Sequence, residues 1–256
     1  MKSGALSWRV VLVQPRNPLN IGAAARAMAN FGFQDLVVVA PYDLVWQEAR
    51  SAVGAEEIVR SARAVKGLLE AIGDATLVLG TTVGTRRALY RDLVPLTELP
   101  AWLQNRTGQG RAALLFGSEK TGLTKEQMSY CHALVRIPTT PRCPSMNLGQ
   151  AVAVCCYELA RAGLVAAESP RATLHLSAPA NVQPLEHVFG RAVRVLEAVG
   201  YLKPKSRNAM LVKLRRLLLD LGLTNNDVRI LGGILAQIEW KLGQQESEVR
   251  RQKPEG

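Results

Sequence analysis

Apolar and polar residues alternate along the first two thirds of the chain in a pattern that predicts strands separated by helices. Runs that are mainly apolar predict buried strands at residues 8–14, 36–40, 75–80, 112–116 and 133–137. Helical spacing predicts one helix that Asn20 caps and Gly32 ends, and others at residues 56–72, 95–104 and 148–163. Strands without a polar face that alternate with helices indicate an α/β fold, with a mostly parallel sheet covered on both faces.

The last third of the chain has a different pattern. Residues 166–184 hold three prolines and many small residues, which predicts a linker. Beyond it, the apolar spacing predicts helices at residues 185–199, at 208–221, and from Thr224 to about residue 242. The predicted divisions are a domain at 1–165, a linker at 166–184, a helical extension at 185–243 and a disordered polar tail at 244–256.

Composition adds a basic charge to this picture. The chain has 256 residues, of which 48% are apolar, so it is long enough to bury a sizeable core. Its formal net charge is +11, and residues 171–256 carry 14 Lys and Arg against 8 Asp and Glu. This charge favours a polyanionic partner, although a basic protein without such a partner fits the charge equally well.

The cysteines and histidines indicate no metal site. The four cysteines form no CxxC pair, and the three histidines have no ligand spacing relative to them. The chain also has no run of 18 apolar residues, so no membrane association is expected. We therefore expect an intracellular, cytoplasmic protein with free thiols.

Two nucleotide-binding patterns occur in the wrong context. Residues 108–113 match GxGxxA but precede a predicted strand, whereas a dinucleotide fingerprint follows a strand and begins a helix. Residues 117–124 resemble a P-loop, but Leu123 occupies the position of its lysine. Neither a Rossmann-type NAD enzyme nor a P-loop NTPase is predicted.

Three segments, at residues 17–28, 115–123 and 137–148, each lie at a predicted strand end or helix start. The third contains three prolines, and a stiff loop of this kind suits a preorganised site. Taken alone, each candidate residue also has an ordinary explanation as a helix cap, an exposed helix position or a solvated loop residue. The candidates are Asn20, Arg26, Glu119, Lys120, Ser145 and Asn147.

In order and spacing, these segments resemble the three motifs of the SpoU branch of the SPOUT RNA methyltransferases. The resemblance is greatest to the TrmJ-type tRNA 2′-O-methyltransferases; it covers about residues 8–163 and resumes at 214–217 and 230–238. It implies a trefoil knot built from about residue 117 to 163 that binds S-adenosylmethionine. It also implies tRNA as the partner, no metal, and a homodimer whose site is shared between subunits.

The resemblance also implies roles for individual residues. The catalytic set, in which Arg26 is the central arginine, is Arg26, Ser145, Asn147, Glu119 and Asn20. The cofactor pocket is Thr81, Thr82, Val83, Gly117, Ile137, Pro144, Ser145 and Met146. The RNA-binding set is Arg86 together with Lys203, Lys205, Arg207, Lys213, Arg215 and Arg216 of the C-terminal helices, which would otherwise form a solvated helix face.

The residue types suit methyl transfer to a ribose hydroxyl. Arginine is a poor general base because its pKa lies above about 12. We therefore hypothesise that Arg26 binds the adjacent phosphate and polarises the 2′-hydroxyl, whose proton leaves through the phosphate or Ser145. Four positions around the substrate loop depart from the family pattern, and they bear on nucleotide preference. They are Ser118, Arg142, Cys143 and Pro144.

Three functional hypotheses follow. The first is 2′-O-methylation of a tRNA cytidine or uridine at the first anticodon-loop nucleotide, position 32 by family analogy. The second is the same chemistry on rRNA or at another tRNA position. The third is a non-catalytic RNA-binding protein that keeps the fold. Weak affinity for S-adenosylmethionine would favour the third hypothesis. The salt dependence of RNA binding tests whether the cations of the C-terminal helices contact phosphates or form a solvated face.

Overall fold

A parallel sheet forms the centre of the first part of the chain. The computed structural model describes residues 6–42, 51–84, 91–104, 110–166 and 179–251. Within these ranges the strands lie in the order β3-β2-β1-β6-β4-β7-β5, and all six strand pairs are parallel. They are β1 (Ser7–Val13), β2 (Asp35–Val39), β3 (Arg63–Val65), β4 (Leu77–Thr81), β5 (Leu93–Pro95), β6 (Arg111–Phe116) and β7 (Ala133–Arg136). The predicted α/β fold with a mostly parallel sheet is confirmed.

Five of the helices of this part lie between strands in the chain, and the sixth, α6, follows the last strand. They are α1 (Pro18–Asn30), α2 (Glu56–Ser61), α3 (Leu68–Ile72), α4 (Leu99–Gln104), α5 (Lys125–Ser129) and α6 (Leu148–Ala166), with a 3₁₀ turn at Leu96–Glu98. The side chain of Asn17 caps α1 by accepting a hydrogen bond from the backbone N–H of Leu19. The prediction that Asn20 is the cap is therefore wrong, because Pro18 occupies the first helical position and starts the helix earlier.

Small residues let α1 and α6 pack closely. A Cβ built on Gly149 would lie 2.7 Å from the Cβ of Ala23, so the two helices touch where one residue lacks a side chain. Met28, Val152 and Cys155 are fully buried in the core cluster below this contact. The start of α6, which follows the third motif segment, is thereby held beside the start of α1.

Residues 56–72 were predicted to be largely helical, and most of the segment is helical, but a strand divides it into two helices. The segment forms α2, the edge strand β3 and then α3. Ala62 and Gly67 both have extended backbone (ψ 136° and 150°), which ends one helix and precedes the next. Between them β3 pairs with β2, and three residues of strand carry too little periodicity to outweigh the surrounding helical pattern.

A buried arginine fixes the amino edge of the sheet. Arg9 is 3% exposed and donates to Asp35 (2.8 Å), to Asp74 (2.6 Å) and to the carbonyl of Ala71 (2.7 Å). Arg111 also contacts Asp74. Because every charge in this cluster has an opposite partner, the burial of Arg9 is compensated.

Residues 178–256 form a second compact unit of helices. The helices are α7 (Val182–Ala198), α8 (Arg207–Asp220) and α9 (Asn225–Arg251), with a 3₁₀ turn at Pro204–Ser206. The predicted cap of α9 is confirmed, because Thr224 and Asp227 exchange hydrogen bonds across the first turn. Two bounds differ from expectation: α7 begins within the predicted linker, and α9 continues into the predicted tail as far as Arg251.

Parts of the predictions lie outside the described residues. They are Arg86 with most of the basic loop, and residues 167–178 of the predicted linker. The knot predicted between residues 117 and 163 stays a prediction.

Candidate active site

The three motif segments meet at the carboxyl edge of the sheet. The strands that precede the site loops are β1, β6, β4 and β7, which are consecutive neighbours in the sheet. In open parallel sheets this edge is where ligands bind, because the loops leave a crevice beyond the strand ends. The sheet order therefore brings together loops that lie more than a hundred residues apart in sequence.

A cavity of about 700 Å³ opens between these loops. All eight residues predicted to bind the cofactor line it, together with Glu119 of the predicted catalytic set. The full lining is Thr81, Thr82, Val83, Gly84, Phe116, Gly117, Ser118, Glu119, Lys120, Thr121, Gly122, Leu123, Val135, Ile137, Thr139, Pro144, Ser145, Met146, Leu148 and Ala151. Sequence reasoning had not named about half of these residues; most are sequence neighbours of those it had.

The floor of the cavity requires a glycine at position 117. A Cβ on Gly117 would lie 2.1 Å from the carbonyl carbon of Gly122 and 2.2 Å from the nitrogen of Leu123. The chain turns back on itself here, because the N–H of Gly122 donates to the carbonyl of Ser118 at 2.7 Å. Gly122 completes the turn with a φ of +65°, a conformation that glycine adopts without strain.

Glu119 joins the second motif segment to the first. Its Oε2 accepts from the backbone N–H of Arg16 (2.9 Å), and its Oε1 accepts from the N–H of Asn17 (3.2 Å) and from Nδ2 of Asn20 (2.9 Å). Although Glu119 is exposed, its carboxylate is engaged in hydrogen bonds within the protein. Its carboxylate holds the loop between β1 and α1 in place.

Asn20 and Asn147 extend this network to the third segment. Nδ2 of Asn147 donates to Oδ1 of Asn20 at 2.9 Å, while Oδ1 of Asn147 accepts from the backbone N–H of Gly149 at 2.9 Å. Asn147 therefore caps α6 and also joins the third motif segment to the first. Asn20 uses both ends of its side-chain amide.

The network also sets the charge of Glu119. Partial burial raises the pKa of the carboxyl, but the hydrogen bonds from Asn20 and from the backbone N–H groups of Glu119, Arg16 and Asn17 outweigh it. The net effect is a pKa below the ordinary value. Glu119 is therefore an anionic acceptor at neutral pH and not a proton donor.

The loop between β7 and α6 is held by its own polar groups. The hydroxyl of Thr139 donates to the carbonyl of Pro144 at 3.0 Å, and the N–H of Cys143 donates to the carbonyl of Thr140 at 3.1 Å. Ser145 lines the cavity and is exposed, and its hydroxyl has no hydrogen-bond partner among the described residues. This hydroxyl is available to a ligand.

The predicted catalytic arginine lies outside the cavity. Arg26 is exposed on α1, does not line the cavity, and has no ion-pair partner among the described residues. The second predicted arginine, Arg86, lies outside the described residues.

In the C-terminal unit, three of the six predicted RNA-binding cations are engaged in ion pairs. Arg207 contacts Glu197 (2.7 Å) and Arg216 contacts Asp220 (3.1 Å). Arg215 contacts Glu186 at 2.7 Å with only 12% of its side chain exposed, and its guanidinium lies over the ring of Phe189. The three lysines of the set are exposed and have no acidic partner in the described part of the chain; they are Lys203, Lys205 and Lys213.

Two findings bound the chemistry of the described residues. No helix among them has the length and apolar character needed to cross a membrane. No group of three or more His, Cys, Asp or Glu side chains among them is placed to hold a metal ion.

Comparison with known protein families gives two matches. Residues 7–157 match the SpoU rRNA Methylase family, and residues 183–252 match the C-terminal domain of the tRNA methyltransferase TrmJ. Together the two matches span both compact units.

Individual relatives match over most of their length. The chain is 36% identical over 239 residues to the tRNA (cytidine/uridine/adenosine-2'-O-)-methyltransferase TrmJ of Pseudomonas aeruginosa, covering 90% of this chain and 93% of that protein. It is 34% identical to the tRNA (cytidine/uridine-2'-O-)-methyltransferase TrmJ of Escherichia coli K12, covering 90% of this chain and 94% of that protein. The crystal structure of TrmJ from Z. mobilis ZM4 superposes with a TM-score of 0.78 at 28% identity, covering 90% of this chain and 98% of that one. The chain therefore belongs to the SpoU methylase family and, within it, to the TrmJ-type group.

Proposed function

We propose that this protein transfers a methyl group from S-adenosylmethionine to a ribose 2′-hydroxyl in tRNA. The observation that carries the proposal is the hydrogen-bonded network of Glu119, Asn20 and Asn147, which joins all three motif segments at the mouth of one cavity. The relatives from Pseudomonas aeruginosa and Escherichia coli are named as tRNA 2′-O-methyltransferases and match 90% of the chain.

The cavity fits S-adenosylmethionine by size and by chemistry. Its volume of about 700 Å³ lies within the range of about 300–1,000 Å³ that small-molecule sites occupy. Leu123, Ile137 and Leu148 offer apolar surface, while the hydroxyls and backbone of residues 81–83 offer polar partners. Because Gly117 has no Cβ, the backbone of Gly122 and Leu123 can pack directly against it and form that side of the cavity. When bound, the cofactor supplies an electrophilic methyl group.

The side chains of the site position the nucleophile. The Ser145 hydroxyl, which has no described partner, accepts a hydrogen bond from the ribose or passes on its proton. Arg26, permanently charged and without an ion-pair partner in the described residues, binds the adjacent phosphate and polarises the hydroxyl. The ordered Glu119 network keeps both loops in one geometry, so that little reorganisation accompanies the reaction.

Since Arg26 lies outside the cavity of its own subunit, we propose a homodimer in which Arg26 of one subunit serves the cavity of the other. The exposed lysines of the C-terminal unit bind the phosphates of the tRNA. The target nucleotide is a cytidine or uridine at the start of the anticodon loop, position 32.

The test is incubation of the purified protein with methyl-labelled S-adenosylmethionine and unmodified tRNA transcripts, followed by mass spectrometry of the nucleotides. We expect one 2′-O-methylated ribose, in the anticodon loop. A methylated ribose elsewhere in tRNA, or only in rRNA fragments, would correct the substrate. Tight tRNA binding without cofactor binding would favour a non-catalytic RNA-binding protein.

The role of Arg26 has its own test in Arg26→Lys. This change keeps the charge but removes the planar pair of donors, so turnover should fall while cofactor affinity is unchanged. Near-normal turnover would reject a bidentate role. Mixing Arg26→Lys with Ser145→Ala subunits tests the shared site, because a mixed dimer restores one complete site and regains activity that neither variant has alone.

A further inference from the structure

The loops that follow β1 and β2 have the same backbone plan. Gln14 and Ala40 come directly after these strands with φ of +53° and +44°, and they are the only non-glycine residues with positive φ among those described. A proline follows each of them, and then a large exposed side chain, Arg16 in one loop and Tyr42 in the other. Such left-handed backbone persists only where the surroundings impose it, and it is concentrated at functional sites.

Hydrogen bonds tie the two loops to the sheet and to each other. The N–H of Gln14 donates to the carbonyl of Val39, and the N–H of Ala40 donates to that of Val65, both at 2.8 Å. The N–H of Tyr42 then donates to the carbonyl of Pro15 at 3.2 Å. The two loops therefore lie side by side as one ordered surface.

This arrangement stacks a cation on an aromatic ring that is exposed to solvent. The guanidinium carbon of Arg16 lies 5.0 Å from the centre of the Tyr42 ring, yet Tyr42 remains 74% exposed. Because so little of Tyr42 is buried, the pair contributes little to the core. Neither residue lines the cavity, so the cofactor does not account for them.

The pair is directly connected to the active-site network. The backbone N–H of Arg16 donates to Oε2 of Glu119 at 2.9 Å, and Glu119 in turn binds Asn20. A ligand that contacts Arg16 and Tyr42 therefore lies beside the site in which the 2′-hydroxyl is proposed to react.

We propose that Arg16 and Tyr42 form a stacking platform for one nucleobase of the RNA substrate, next to the methylated nucleotide. The inference rests on the proposed function, since it assigns a contact to the same substrate. Loops of single-stranded RNA present unstacked bases, which proteins bind on aromatic rings and on the planes of arginine side chains. The charge of Arg16 additionally favours the phosphate that accompanies the base.

The experiment couples changes in the protein to changes in the RNA. Equilibrium binding is measured between the full-length protein and tRNA transcripts that each carry one abasic nucleotide in the anticodon loop. We expect Tyr42→Ala to weaken binding of intact tRNA about tenfold, the size of one lost base stack. One abasic position should weaken the unaltered protein by a similar factor and Tyr42→Ala by no further amount.

Two variants serve as controls. Tyr42→Phe keeps the ring and should bind like the unaltered protein, whereas Arg16→Gln should show part of the loss. Val53→Ala removes another exposed apolar side chain, which is not part of the pair, and should change neither binding nor the abasic profile. Melting temperatures confirm that the variants are folded, and the exposure of Tyr42 predicts that they are.

Every outcome decides the question. Full binding by Tyr42→Ala, or a loss that adds to the abasic loss at every position, would overturn the platform. Because the readout is binding, it does not depend on methyl transfer. Coupling at one base without any methyl transfer would support the platform and refute the proposed catalysis. Failure of the unaltered protein to bind tRNA would overturn both.

Discussion

Asn147 donates a hydrogen bond of 2.9 Å from its Nδ2 to the Oδ1 of Asn20, a residue 127 positions earlier in the chain. Through this bond and the contact between Asn20 and Glu119, one continuous network passes through all three motif segments. Each group in it has a defined direction, with amide donors facing acceptors. Changes that preserve the shape but reverse one of these directions are therefore the most informative tests.

Glu119→Gln is the first such change. Both carboxylate oxygens accept hydrogen bonds, so a glutamine must turn its NH₂ group toward at least one N–H donor. We expect a loss of about 1–2 kcal/mol in the free energy of unfolding and at least about a tenfold loss of methyl transfer. Chemical denaturation and single-turnover assays measure these quantities. Glu98→Gln, at an exposed glutamate, is the matched control and should change neither.

The same carboxylate predicts a dependence of stability on pH. Because the folded-state pKa of Glu119 is lowered, its contribution is complete above the ordinary glutamate pKa and is lost as the pH falls through the lowered folded-state value. The difference in stability between the unaltered protein and Glu119→Gln should therefore shrink in acid. A difference that stays constant from neutral pH into that range would contradict an anionic Glu119.

Asn147 allows its capping and network roles to be separated. Asn147→Asp keeps an oxygen for the N–H of Gly149 and adds a negative charge at the start of α6, so the helix cap should survive. The new oxygen faces Oδ1 of Asn20 without a proton between them, and Asn20 cannot flip without turning its own oxygen toward Glu119. We expect near-normal thermal stability with a large loss of methyl transfer.

Asn147→Ala should lose both roles. Removal of the cap costs about 1 kcal/mol of stability, and the loss of activity should match that of Asn147→Asp. Thermal unfolding and single-turnover rates of the two variants separate the contributions. Full activity in Asn147→Asp would show that the contact with Asn20 is dispensable.

Replacement of glycine by alanine should have opposite effects on stability at two positions, Gly117 and Gly163. Gly117→Ala forces a Cβ against the backbone of Gly122 and Leu123, which cannot move without opening the turn. We expect a loss of about 1–3 kcal/mol in stability and weak cofactor binding, measured by calorimetry. Gly163→Ala on α6 meets nothing within 4 Å and should stabilise the protein by about 0.5–1 kcal/mol. Tight cofactor binding by Gly117→Ala would show that this loop is not part of the binding site.

In the C-terminal unit, lysines should matter more for tRNA binding than the paired arginines. The double variant Lys203→Ala, Lys205→Ala removes two exposed charges without an acidic partner in the described residues. It should lower the slope of log affinity against log salt by about 1.5–2. Arg216→Ala, whose guanidinium already contacts Asp220, is the control and should change the slope less. Equal slopes for both variants would place the phosphate contacts elsewhere.

The thiols should react very unequally. Burial raises the pKa of Cys131 and of Cys156 to about 12 and raises that of Cys155 as well, whereas Cys143 is exposed. One thiol should therefore react quickly with a disulfide reagent in the native protein and four after denaturation. Because Pro144 and Ser145 line the cavity, S-adenosylmethionine should slow the reaction of Cys143. More than one fast thiol would contradict the burial of Cys131, Cys155 and Cys156.

The sequence alone predicted the features that depend on local pattern. The runs at residues 8–14 and 112–116 form buried strands because they are mainly apolar, and a parallel sheet follows from helices between such strands. The motif segments could be placed at one edge because the carboxyl ends of parallel strands share it. The cap of α1 was predicted wrongly at Asn20, although the sequence contained the correct signal, since Asn17 precedes Pro18, a pairing typical of a helix start.

Features that depend on sheet order or helix packing could not be predicted. The hydrogen bond between Asn20 and Asn147 requires that the loops after β1 and β7 converge. Their convergence depends on the order of the strands in the sheet, which no local sequence pattern predicts. The ion pair of Arg215 with Glu186 joins residues 29 positions apart on different helices. The sequence therefore does not distinguish a helix face with free cations from one whose cations form ion pairs. The contact of Arg216 with Asp220 could have been predicted, because residues at i and i+4 are neighbours on a helix.

The partners of Glu119 lie 99 to 103 residues before it in the chain. Asn147 lies 127 residues after its partner, Asn20. During synthesis, β1, α1 and β2 can therefore pair long before the groups that complete the site exist. Until residue 149 has been added, the carboxyl edge of β1 carries donors and acceptors whose partners are missing, and such long-range closure is slow. Each newly synthesised chain should therefore become able to bind the cofactor late in its synthesis and in a single step.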